Sequence, residues 1–130
     1  MNEKAKKMIE QQNERLYNTL KDTFNLPVYQ DSVADDERPN KLNLFLLIFG
    51  DWSPGESEQY LTQDIIVTYL SEDSETLETD ALDIISSISS INLINFHDSN
   101  RDRVQKKDTE EYVDRLTFIF KRGIKYECPI

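Results

Sequence analysis

The stretch Tyr60-Leu61-Thr62-Gln63-Asp64-Ile65-Ile66-Val67-Thr68-Tyr69-Leu70, followed at once by Ser71-Glu72-Asp73-Ser74-Glu75-Thr76, decides the fold. The first part alternates. Leu61, Ile65, Val67 and Tyr69 share one side of an extended chain, and Ile66 and Leu70 take the other. The second part changes period. Ser71 or Asp73 can cap a helix, and Glu72, Asp73, Glu75 and Glu78 sit where the helix dipole favours anions. The helix predicted over residues 72–90 carries an apolar stripe of Leu77, Ala81, Ile84, Ile85 and Ile88, flanked by Leu82 and Ile91. That is a single face for packing on a sheet.

Downstream, residues 91–97 read as a strand and Asp98-Ser99-Asn100-Arg101-Asp102 as a turn. Residues 103–109 fit either a strand extension or a hairpin tip. The chain's longest alternation runs over residues 112–121, with Tyr112, Leu116, Phe118 and Phe120 opposed to Val113, Thr117 and Ile119. Ile85, Ile88, Leu116 and Phe118 are therefore expected in the core.

Upstream, residues 42–49 form an almost continuous apolar run, the mark of a strand covered on both faces. Gly50-Asp51-Trp52-Ser53-Pro54-Gly55-Glu56 reads as a turn cluster. Trp52, the only tryptophan, is expected to plug the core edge there, with a partner contact as the alternative. Residues 30–41 are a polar loop. The first segment is an amphipathic helix from near Glu3 to just before Asn25-Leu26-Pro27, since Pro27 disfavours helix at the residue before it. Its stripe is Ala5, Met8, Ile9, Leu16, Leu20 and Phe24, and Lys, Glu and Gln fill the other face. It reads as a core helix; a partner-docking arm is the alternative.

The fold class is thus α+β, in the order α–β–β–α–β–β, with a mostly antiparallel sheet and helices packed on it. One domain over residues 1–130 suits the length, with the helix in 1–26 and a sheet-and-helix body in 42–126.

The net charge is −10, unevenly placed. Residues 31–83 hold fourteen acids against two bases, Arg38 and Lys41. That balance argues against adhesive binding to nucleic acid, which needs Lys and Arg to displace counterions. An acidic surface also keeps a protein in solution. No run approaches the roughly 20 apolar residues of a membrane span. The charged start, Met1 to Lys7, leads into no apolar signal segment, so secretion is not expected.

No constellation for catalysis stands out. His97 is the only histidine and Cys128 the only cysteine, which leaves no zinc set, no intrachain disulfide and no evident nucleophile–base pair. Gly50, Gly55 and Gly123 form no phosphate-cradling pattern. Asp35-Asp36-Glu37 lacks the spacing of a calcium loop. The expectation is a protein without catalytic residues, cofactor or metal, whose work is contact.

From about Pro39 to Tyr126 the layout resembles the tail terminator, or tail completion, proteins of long-tailed bacteriophages. The elements that carry the resemblance are the strand at 42–49, the strand ending Asp64-Ile65-Ile66-Val67-Thr68-Tyr69-Leu70, the acidic start Ser71-Glu72-Asp73-Ser74-Glu75-Thr76, and the closing Asp108-Thr109-Glu110-Glu111-Tyr112-Val113-Asp114-Arg115-Leu116-Thr117-Phe118-Ile119-Phe120. The resemblance implies a homohexameric ring, formed from subunits monomeric when free. The ring caps the tail tube protein and meets the head–tail connector, in a virion made in the host cytoplasm. DNA passes through without specific binding. Six copies would carry about −60 in formal charge, and Asp35, Asp36 and Glu37 are the candidate channel residues. A head–tail stopper or adaptor has similar size and acidity. An acidic DNA mimic that inhibits a DNA-binding enzyme is the alternative of another class.

Overall fold

A computed structural model describes residues 1–34, 36, 38–72 and 74–128. The element order is α1 Glu3–Phe24, β1 Val28–Gln30, β2 Leu44–Pro54, β3 Tyr60–Ser71, α2 Leu77–Ser89, β4 Ile94–Gln105 and β5 Tyr112–Lys125. The strands form one sheet in the order β1-β2-β3-β5-β4, antiparallel except for the β1–β2 pair. The fold class is α+β as expected, with both helices packed on one side of the sheet.

The helix-covered face follows from strand alternation. Phe45 and Leu47 of β2, Ile65, Val67 and Tyr69 of β3, and Leu116, Phe118 and Phe120 of β5 all enter one apolar cluster. Leu16 and Leu20 of α1 meet them, as do Leu77, Ile84 and Ile88 of α2. Of the four residues expected in the core, Ile88, Leu116 and Phe118 are buried, and Ile85 packs against the cluster partly exposed. The other face holds a smaller cluster at one end, where Leu42 joins Leu44 and Val113, with Val33 and Leu46 packed against it.

Helix α1 ends where Pro27 requires. Asn25 adopts the left-handed region (φ 53°), and its N–H donates to the Lys21 carbonyl. Four expectations need correction. First, α2 begins at Leu77 rather than at residue 72, with Thr76 at its N-cap. The Glu72 carboxylate is already committed: it accepts Lys106 Nζ at 2.9 Å and the Leu42 amide, closing the end of the preceding loop. Second, β2 does not stop at Phe49. It runs to Pro54 across a register shift between Phe49 and Trp52, so Trp52 lies on a strand instead of a turn. Third, the turn expected at 98–102 is the middle of β4. That strand begins at Ile94, not residue 91, and shifts register between Phe96 and Asp98. β4 pairs on one side only and is exposed along nearly all its length, so it shows no period of two for a reader to find. Fourth, the short strand β1 pairs in parallel with Phe45 to Leu47 of β2 and had no sequence counterpart.

Candidate functional site

Two features concentrate polar chemistry on the scaffold. The first is a buried cation. Alternation on β5 carries the apolar positions 116, 118 and 120 on to Arg122, which therefore points under α1 and is 2% exposed. Its strand partner Gln63 is 6% exposed and occupies the matching position on β3. The Gln63 side-chain oxygen accepts Arg122 Nε at 2.9 Å and Nη2 at 2.7 Å. From α1, Asn13 Oδ1 accepts Nη1 at 2.7 Å and Gln12 Oε1 stands at 3.5 Å.

The two glutamine amides are held in turn. Gln63 donates to the Gly50 carbonyl in the irregular part of β2 and Gln12 to the Asn92 carbonyl between α2 and β4, each at 3.1 Å. The guanidinium also lies 5.1 Å from the Phe49 ring centre and 6.0 Å from that of Trp52. All its hydrogen bonds among the described residues go to neutral oxygens. Burial pushes the Arg122 pKa down to about 10, so it stays charged at neutral pH. This node joins α1, β2, β3, β5 and the turn before β4. It can hold α1 in one register on the sheet. The sequence reading put the α1 glutamines on the polar face and passed over Gln12. Its spacing of four residues from both Met8 and Leu16 was the available signal.

The second feature is a cleft of about 410 Å³ between the start of α1 and the ends of β3 and β5. Ala5, Met8, Tyr60, Leu93 and Tyr126 give it apolar walls. The Tyr60 ring lies over Gly123, where an added Cβ would come within 2.5 Å of it. Lys4 and Lys125 stand at the cleft, and neither has an ion pair among the described residues. Glu127 lines it too, but its carboxylate accepts the Asn2 amide at 3.2 Å while its own amide donates to Asn2 Oδ1 at 2.7 Å.

Of the candidate channel residues, Asp36 is exposed on the loop after β1, and Asp35 and Glu37 lie outside the described residues. Asp73 lies outside them as well. His97 falls at the register shift of the exposed strand β4, and Cys128 is an exposed free thiol beyond β5. Among the described residues no group of three or more His, Cys, Asp or Glu could hold a metal ion. No described helix is long and apolar enough to cross a membrane.

Fold and site together define a small α+β protein with one buried cationic node and one lysine-flanked cleft. No protein-family model matches the chain, and no curated protein matches it. Its fold is similar to that of a chain in the virion of a native gene transfer agent particle. The two are 13% identical, with 87% of this chain and 93% of that chain covered, at a TM-score of 0.59. It is also similar to the type 4 fimbrial biogenesis protein PilO from Pseudomonas aeruginosa, at 13% identity and a TM-score of 0.51, over 94% of this chain and 72% of that one. At such identity the likeness is one of fold.

Proposed function

We propose that this chain is a structural protein of a phage-like virion and, within that class, a tail terminator or completion protein. It forms a ring that caps the tail tube and joins it to the head connector, and it performs no catalytic step. The observation that carries this reading is the fold shared with a chain of the gene transfer agent virion, which spans nearly the whole of both chains. The likeness to PilO covers less of that protein and has the lower TM-score. The acidic middle of the chain supports the same reading, because a wall of carboxylates lets a phosphate backbone slide past instead of holding it.

The test is electron microscopy of tail tubes incubated with the purified protein. The expected result is a ring at one tube end, in a region that DNA traverses. Protein that never decorates tube ends overturns the terminator role. Decoration of the portal side of heads instead of tubes favours a stopper or adaptor.

A further inference from the structure

Helix α2 carries an exposed side chain that its fold does not explain. Leu82 is 63% exposed on the face turned away from the sheet, while Ile84 and Ile88 of the same helix are fully buried. Glu78 lies one turn before Leu82 and Asp83 directly after it, and both are exposed. An aliphatic anchor with carboxylates beside it is therefore presented to solvent on a regular helix. The cleft below α1 has the opposite character, with apolar walls and the ammonium groups of Lys4 and Lys125, which have no ion pair among the described residues. Lys4, Lys6 and Lys7 also crowd the first turns of α1, where the helix dipole disfavours cations, and Glu3 is the acidic residue of the first turn. An arrangement that costs stability in the single chain gains a use if carboxylates arrive from outside.

We infer that the cleft of one copy takes the outer face of α2 from a second copy, with Leu82 in the apolar pocket and Glu78 and Asp83 against Lys4 and Lys125. A chain of net charge −10 repels itself on average, so a contact between copies gains from setting cationic positions against acidic ones. The mode is a helix laid into a groove. The two patches share no residue, so the contact is head-to-tail, the kind that closes into a ring when the rotation allows. The inference rests on the ring reading above and names the surfaces that would build the ring.

The test uses two single-cysteine variants, both with Cys128→Ser. One carries Leu82→Cys and the other Met8→Cys. They are mixed at high concentration, and separately on tail tubes, with a short bis-maleimide. The mixture is expected to give a cross-linked dimer, whereas neither variant does so alone. Lys4→Glu with Lys125→Glu should weaken the association about tenfold. Adding a partner with Glu78→Lys and Asp83→Lys should restore the cross-link. No cross-link in either setting overturns the inference, and so does equal cross-linking when Tyr17→Cys on the outside of α1 replaces Met8→Cys. Tube ends decorated by subunits that never cross-link would refute this interface alone and leave the ring reading standing. A specific cross-link without decoration supports the interface and counts against the terminator role.

Discussion

The Arg122 guanidinium donates through both Nε and Nη2 to one oxygen, that of the Gln63 side chain on the neighbouring strand, at 2.9 and 2.7 Å. The two residues are directly paired across β3 and β5, on the face that α1 covers. A full charge thus sits in the interior with only neutral acceptors among the described residues. The geometry compensates by fixing the Gln63 and Gln12 amides from behind, so that neither has to reorient to meet the cation.

Arg122→Met should destabilise the fold by about 2–3 kcal/mol, because Gln63, Gln12 and Asn13 lose a common donor in a buried setting. Adding Gln63→Leu removes the stranded acceptor and should recover about 1 kcal/mol of that loss. Urea melts of the two single variants and the double variant check the coupling. Additive single effects would show that the pair does not act as a unit.

Phe118→Ala should cost about 3–5 kcal/mol, since the ring is buried in the main cluster between the sheet and the helices. Ile85→Ala, on the partly exposed edge of the same cluster, should cost about 1–2 kcal/mol. Thermal unfolding of both, side by side, reads the difference. Equal costs would contradict the burial order of the two sites.

Glu72 supplies an acid-sensitive clamp. The hydrogen bond from Lys106, then that from the Leu42 amide, hold its carboxyl below the usual glutamate range. A lowered folded-state pKa means the contribution is whole above about 4.5 and disappears as pH falls through the folded value. Glu72→Gln should therefore lower stability by about 1 kcal/mol at pH 7 and by less at pH 3. Stability curves for both proteins across that interval test it; a gap that stays constant with pH would exclude the clamp.

Gly123→Ala should push the Tyr60 ring aside, because the new Cβ would lie 2.5 Å from it. The backbone conformation there suits an alanine, so the cost is crowding alone, about 1 kcal/mol. Gly123→Ala combined with Tyr60→Ala should lose that penalty. Calorimetry of the three variants decides whether ring and glycine are coupled.

Replacing Asp35, Asp36 and Glu37 together with Lys should create a patch that holds phosphates, with DNA affinity falling as salt rises. Under the channel reading, particles carrying the variant assemble but eject DNA slowly. Normal ejection from a protein that precipitates more readily would mark the loop as a solubility feature. Tight binding of duplex DNA by the unaltered protein at physiological salt would rule out a repulsive channel.

The sequence alone determined those elements in which one face is buried and the other wet. Helix α1, the alternation of β3 and that of β5 are legible because burial imposes a period on side-chain choice, and the fold class follows from their order. The middle of β4 escaped because an edge strand with charge on both sides carries no period, and what keeps it extended is pairing with β5, the next strand in the chain. The start of α2 moved because Glu72 bonds to Lys106, 34 residues away, a contact that no local propensity reports. β1 exists only because Phe45 to Leu47 offer a free strand edge beside it. The buried node was half visible. Gln12, Gln63 and Arg122 each occupy an apolar-phase position on their own element, yet each reads alone as a polar interruption. Only the packing of α1 across β3 and β5 brings the three together, and only that packing leaves the lysine-flanked cleft at one end of the sheet and Leu82 exposed on α2.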